Sequence, residues 1–333
     1  MTTCSRYLSD PRIDFPTLLA KRVSARTVDL KIRRLRLSRT AISRFLSLLV
    51  CLLSTFSCTR NPPSDSRPRA DAQVKDFVFR SVSLGRKMHY RVLFPVDYEN
   101  GGGFPVLYLL HGLDGDYKDW DTMTELEKYA RNLPIIIAMP DADDSWYTNS
   151  ATVPADKFED YIAKDFVSEV DTRFKTSRDR HGRAIAGLSM GGYGSLKFSL
   201  KWQLFSFAGS LSGALNAAQN LDELRPDFRK QLQKVYGKNG SPTRSENDIF
   251  ILLNAPHPDP YPYLYLACGT DDFFLDTNRA FAQQLSSKKL AHEYHENPGG
   301  HTWEYWDREL RALLNAVMKQ FEQGGVAKSK SNG

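Results

Sequence analysis

Between residues 184 and 198 the chain reads Ala184-Ile185-Ala186-Gly187-Leu188-Ser189-Met190-Gly191-Gly192-Tyr193-Gly194-Ser195-Leu196-Lys197-Phe198. An apolar run meets a serine with glycine two positions before and two after it, and then takes up a helical rhythm. That order spells strand, tight turn, helix. Small residues are required on both sides because the backbone folds back on itself there and leaves almost no room for side chains. Such a turn lifts the Ser189 hydroxyl into the open. The helix behind it directs unpaired backbone N–H groups, Met190 first, toward whatever the serine faces.

From Pro105 onward, short apolar runs alternate with helical stretches, the rhythm of a parallel sheet wound with helices. Strands are expected at Val106 to Leu110, Ile135 to Met139, Arg183 to Ala186, Phe205 to Gly209, Tyr263 to Ala267 and Ala291 to His295. Before them, Phe77-Val78-Phe79 and Met88 to Phe94 flank Leu84-Gly85-Arg86 and read as an antiparallel hairpin. Pro154 is expected to open a helix whose residues Phe158, Ile162, Phe166, Val170 and Phe174 form one buried face. Residues 214–260, with a helix expected over Leu221 to Tyr236, are long for a simple crossover and read as a small cap beside the serine. A final amphipathic helix runs from Trp303 to Phe321. The expected fold is therefore α/β: a mostly parallel sheet with an N-terminal antiparallel hairpin, helices on both faces and a cap insertion.

Charge divides the chain. Residues 1–60 hold 12 Lys and Arg against 3 Asp and Glu, which leaves 33 against 36 for the remainder. The basic excess belongs to the leader, and a mildly acidic body offers no electrostatic footprint for nucleic acid. The basic stretch 31–44 precedes the apolar stretch Phe45 to Phe56, which is short for a membrane span and has the order of a secretory signal. Thr55 and Ser57 meet a small-x-small cleavage requirement, and Cys58 is an alternative lipid attachment point that would anchor the chain to a membrane. Residues 1–58 are thus read as a leader for export, 59–73 as a flexible linker, 74–323 as the folded domain and 324–333 as a disordered tail. The four cysteines, Cys4, Cys51, Cys58 and Cys268, have neither metal nor redox spacing, so no structural disulfide is expected.

A serine hydroxyl becomes a competent nucleophile when an imidazole takes its proton and a carboxylate fixes that imidazole. Of the seven histidines, His301 alone follows a strand and a flexible Pro298-Gly299-Gly300 loop at the edge of the last helix. Asp271 and Asp272 both sit directly after the strand that ends near Cys268, where a loop at a strand's C-terminal end would hold a carboxylate near that histidine. The chain order is then Ser, Asp, His. A second N–H donor, beside that of Met190, is expected from Leu113, because Gly112 permits a turn after the strand Val106 to Leu110. His111 precedes the serine and reads as a structural hydrogen-bonder. His292 and His295, three apart on a strand, face opposite sides and do not form a metal site.

Five stretches taken together resemble the esterase D group of α/β-hydrolases. They are Leu109-Leu110-His111-Gly112-Leu113, Ser145-Trp146-Tyr147-Thr148-Asn149, Ala186 to Gly194, Cys268-Gly269-Thr270-Asp271-Asp272-Phe273, and Gly299-Gly300-His301-Thr302-Trp303-Glu304-Tyr305-Trp306. That group contains S-formylglutathione hydrolases, feruloyl esterases and mycolyltransferases, and the likeness is greatest to its tributyrin-esterase-type carboxylesterases, over about residues 74–320. The resemblance implies that the second carboxylate of the Gly-Thr-x-Asp block, Asp272, completes a triad with Ser189 and His301. It likewise implies that Leu113 and Met190 form the oxyanion hole.

The implied reaction is attack of Ser189 on an ester carbonyl and hydrolysis of the acyl-enzyme, with no cofactor. Trp146, Tyr147, Phe273 and Trp303 are expected to line the mouth as an apolar or sugar-stacking surface, with core packing the alternative for each. The expected substrate is a small-molecule or carbohydrate-linked ester. Acyl transfer to an alcohol or sugar needs the same triad and stands second. A non-catalytic binding protein stands third, opposed by the retention of all three side chains. Export disfavours formylglutathione, a cytosolic thioester.

Overall fold

The computed structural model describes residues 73–219, 226–257 and 260–326. The leader, the linker up to residue 72, the expected start of the cap helix at Leu221 and the tail from residue 327 lie outside the described residues. Among the described residues no helix is long and apolar enough to cross a membrane.

Eight strands form one sheet: β1 (Gln73–Arg80), β2 (Lys87–Phe94), β3 (Val106–Leu110), β4 (Ile136–Pro140), β5 (Arg183–Leu188), β6 (Phe207–Leu211), β7 (Tyr263–Gly269) and β8 (His292–Asn297). Their order is β1-β2-β4-β3-β5-β6-β7-β8. β1 pairs antiparallel with β2 and β2 antiparallel with β4, whereas every later pair is parallel. This is the mostly parallel sheet with an N-terminal hairpin that the sequence predicts. The serine strand β5 lies between β3 and β6, buried on both faces, which explains its unbroken apolar run.

Successive residues of β3 separate the two cores. Val106, Tyr108 and Leu110 face one core, and Leu107 and Leu109 the other. On the first face lies a continuous helix, α1, made of Phe158–Asp160, a π-helical Tyr161–Phe166 and Val167–Arg173. With it pack α2 (Met190–Lys201), α3 (Pro226–Tyr236) and α4 (Leu275–Ser287). The opposite face is covered by α5 (Trp303–Gln323) and two short helical turns, Asp119–Thr122 and Leu126–Ala130.

The four-residue apolar repeat of α1 outruns the roughly 3.6 residues of an α-helical turn. The wider π turn takes up the excess, and Phe158, Ile162, Phe166, Val170 and Phe174 are all buried. The helix starts at Phe158, however, and Pro154 lies in the turn before it. The acceptor that starts it comes from outside: Asn149 Oδ1 receives the N–H groups of Glu159 and Asp160 at 3.0 and 3.2 Å. β1 begins at Gln73, one residue inside the expected linker. At the other end, Gly324 and Val326 still donate to the carbonyls of Gln320 and Phe321 at 2.9 and 3.0 Å, so the fold extends past the expected end at 323.

Candidate active site

β5 ends at Leu188 and α2 starts at Met190, so Ser189 alone makes the turn, with φ 51° and ψ −114°. Holding a non-glycine residue in that region stores strain, and the neighbours hold it there. Its N–H donates to Leu211 O of β6 at 2.9 Å, and its carbonyl accepts from Tyr193 and Ala214 at 3.0 and 3.1 Å. Gly187 and Gly191 approach so closely that a Cβ on Gly187 would stand 2.6 Å from the Gly191 carbonyl carbon.

The loop after β7 carries Asp272 and the loop after β8 carries His301, and Asp271 N–H ties them by donating to Gly299 O at 2.9 Å. Asp271 is exposed at the turn, whereas the Asp272 side chain is fully buried. Asp272 Oδ1 accepts the Phe274 N–H at 2.9 Å, and Oδ2 accepts from His301 Nδ1, also at 2.9 Å. With its proton on Nδ1, the imidazole presents Nε2 as an acceptor to Ser189 Oγ, 2.9 Å away. Sequence separations of 112 and 29 residues are thus closed into one hydrogen-bonded line. Phe273, Phe274 and Trp306 surround the imidazole at ring-centre distances of 4.6, 5.4 and 4.8 Å.

The loop after β3 lies against the turn at Ser189. A Cβ on Gly112 would come within 2.6 Å of Leu188 Cδ1 and 3.7 Å of Ser189 Cβ. His111 is buried beneath this loop and holds it: Nε2 accepts the Ala142 N–H at 3.0 Å, so Nδ1 carries the proton and donates to Gly112 O at 2.7 Å. That is the structural role its sequence position implies. Neither Leu113 N–H nor Met190 N–H has an acceptor among the described residues.

The four aromatic residues expected at the mouth divide. Phe273 is half-buried and lies against His301. Trp303 is partly buried and packs edge-on to Trp120 and Trp306, against the core on the opposite face of the sheet. Trp146 and Tyr147 are 2% and 0% exposed, which corrects the expectation for both. Their backbone adopts φ of 54° and 52°, turning the loop inward, so Trp146 packs against Tyr193 and Phe228 and the Tyr147 hydroxyl donates to His111 O at 2.9 Å.

A buried ionic group lies behind this loop. Lys197 Nζ donates to Tyr147 O at 2.6 Å, Thr148 Oγ1 at 2.8 Å and Glu159 Oε2 at 3.1 Å, and Lys201 pairs with Glu159 Oε1 at 2.7 Å. Burial works against the Glu159 carboxylate, but the ammonium groups of Lys197 and Lys201 outweigh it and hold its pKa at about 2. The sequence reading missed both residues. The available signal was that α2 has no polar face: every residue from Met190 to Leu200 is buried, so a lysine among them has nowhere to point but inward. Among the described residues no group of three or more His, Cys, Asp and Glu is placed to hold a metal ion.

Residues 81–317 match the model of a family described as "Putative esterase". An acetyl esterase of Caldicellulosiruptor saccharolyticus is 29% identical over 234 residues, covering 67% of this chain and 86% of that protein. Among solved structures, the Staphylococcus aureus fluorophosphonate-binding serine hydrolase FphF superposes with a TM-score of 0.65 at 28% identity, covering 75% of this chain and 99% of the other. The S. aureus S-formylglutathione hydrolase FrmB gives 0.61 at 26% identity, with 75% and 98% covered.

Proposed function

The chain belongs to the esterase family and is a hydrolase of carboxylic esters, and we propose that Ser189, His301 and Asp272 perform the reaction through an acyl-enzyme. Ser189 Oγ attacks the ester carbonyl while His301 Nε2 takes its proton. The oxyanion is received by the N–H groups of Leu113 and Met190. His301 then returns the proton to the departing alkoxide, and the acyl group stays on Ser189. Water enters, gives a proton to His301, attacks the acyl carbonyl and releases the acid, restoring the serine. Asp272 keeps the imidazole in the Nδ1–H form and stabilises its transient charge.

The observation that carries this reading is the unbroken Ser189–His301–Asp272 line at 2.9 Å per step. The favoured substrates are short-chain acyl esters or carbohydrate-linked esters. The Phe273 ring against His301, 4.6 Å between ring centres, supports a small apolar acyl group. We also propose export: the basic-then-apolar order of residues 31–56 supports a cleaved leader, with lipid attachment at Cys58 as the anchored variant.

The test is hydrolysis of nitrophenyl acetate, nitrophenyl butyrate and a feruloyl ester by the purified protein beside Ser189→Ala. Faster turnover of acetate or butyrate is expected, with loss of roughly 10⁴-fold or more in the variant. Equal rates in the two proteins would refute the assignment. Added alcohol, with product analysis, measures how much acyl group passes to an acceptor other than water.

A further inference from the structure

Trp146 and Tyr147 are consecutive, bulky and left-handed, a conformation that persists only where surrounding structure imposes it. What imposes it is the helix that begins at the nucleophile. The Tyr147 ring lies on α2 at Gly194, where an added Cβ would stand 2.7 Å from Tyr147 Cδ2. One turn further along, Lys197 holds the Tyr147 carbonyl and the Thr148 hydroxyl, its remaining hydrogen bond going to Glu159. The Tyr147 hydroxyl then reaches the carbonyl of His111 at 2.9 Å. His111 is the residue before Gly112 and Leu113, and its ring carries the Gly112 carbonyl. A fully buried chain of contacts therefore runs from α2, which presents Met190 N–H, to the loop that presents Leu113 N–H.

We propose that Lys197 and Tyr147 are positioning residues for the oxyanion hole: they fix the separation of its two donors by tying the Leu113 loop to the helix that carries Ser189 and Met190. This rests on the reading of Leu113 and Met190 as the oxyanion donors. An ammonium suits the task because it donates three hydrogen bonds from one point, and here they meet a carbonyl, a hydroxyl and a carboxylate. The carboxylate balances the buried charge, and the other two bonds are left to fix the loop. Lys201 and Trp202 Nε1 share Glu159 with Lys197, so the anchor itself is held from several sides.

The consequence is specific to substrates that develop negative charge on oxygen. A thionoester places sulfur where the oxyanion forms, and sulfur accepts hydrogen bonds from a fixed pair of N–H donors poorly. A change that merely loosens the protein slows an ester and its thionoester alike. A change that displaces one donor lowers the ratio of ester to thionoester turnover. Losing an oxyanion donor outright costs about 10²–10³-fold in kcat, and a displaced donor should lose roughly tenfold or more.

The experiment compares kcat and KM for a matched short-chain ester and thionoester in the full protein, Tyr147→Phe, and the double variant Lys197→Met with Glu159→Gln, which leaves no lone buried charge. Tyr147→Phe removes one hydroxyl with little change in volume and carries the decision if the double variant does not fold. The expected result is a tenfold or greater fall in the ester-to-thionoester kcat ratio in both variants, with KM for the ester little changed. An unchanged ratio in Tyr147→Phe would overturn the proposal, and so would equal slowing of both substrates in the double variant. If the unaltered protein itself shows no preference for the ester, the oxyanion assignment fails instead, and the two failures are told apart.

Discussion

Replacing Asp272 by asparagine exchanges one oxygen for an NH₂ and should reverse the hydrogen-bond line on which Ser189 depends. The Phe274 N–H donates to Asp272 Oδ1 at 2.9 Å, so the amide of an asparagine must turn its oxygen toward that donor and its NH₂ toward His301 Nδ1. An NH₂ can only donate, which forces Nδ1 to lose its proton and puts the proton on Nε2, facing the serine hydroxyl. The base is then in the wrong tautomer. Rotating the amide would point two donors at each other in a fully buried position, at a cost of about 1–3 kcal/mol. The charge opposite the imidazolium is lost as well, worth about 4 kcal/mol at an effective dielectric near 20. Together these correspond to a loss of about 10⁴-fold in kcat, since each factor of ten is about 1.4 kcal/mol. The assay is steady-state hydrolysis of nitrophenyl butyrate, with thermal unfolding to show an intact fold and KM expected within about threefold. A folded Asp272→Asn enzyme losing less than about tenfold in kcat, or losing only in KM, would refute the reasoning.

The Glu159 carboxylate has a pKa near 2 in place of 4.5, so its stabilisation is complete above about pH 4.5 and is lost as pH falls toward 2. Denaturant titrations at several pH values should show the gap between the unaltered protein and Glu159→Gln narrowing between pH 5 and 2, and parallel profiles would contradict it. Cys268 is buried and burial pushes its thiol well above the ordinary value, so peptide mapping after iodoacetamide treatment should find it unmodified in the native protein and modified after denaturation. Mass analysis of the secreted product should find a new N-terminus near Ser57 or a lipid on Cys58. An intact Met1 there would refute cleavage.

Strand positions and the mostly parallel character of the sheet were legible because parallel strands buried on both faces leave plain apolar runs. Their ends were not. β6 was expected at Phe205 to Gly209 and lies at Phe207–Leu211, because Ser210 and Leu211 resemble a turn in isolation yet pair with Gly187 and Leu188 on one side and Leu266 and Ala267 on the other. The start of α1 was misjudged because its cap comes from Asn149, across a loop and not from the preceding residue. Ser189 and His301 were readable because the nucleophile turn is a local pattern and His301 alone follows a strand and a glycine-rich loop downstream of it. Asp272 could be separated from Asp271 only by resemblance, since one position on a loop decides which side chain turns inward. Tyr147 and Lys197 were misread or missed for a common reason. An aromatic in a loop carries no local mark of burial, and the mark on Lys197 lies in its helix neighbours, which offer no polar face, and not in the lysine itself; both are interior here because α2 is enclosed on every side.

A covalent acyl-enzyme on Ser189 is the most direct mark of its role as nucleophile. Rapid mixing of the protein with nitrophenyl butyrate, quenched in acid and analysed by intact mass and peptide mapping, should show one butyryl group on Ser189, with a burst of nitrophenol matching it. In Ser189→Ala both should vanish. An acylated residue other than Ser189, or turnover that continues in the variant at the original rate, would contradict the central claim.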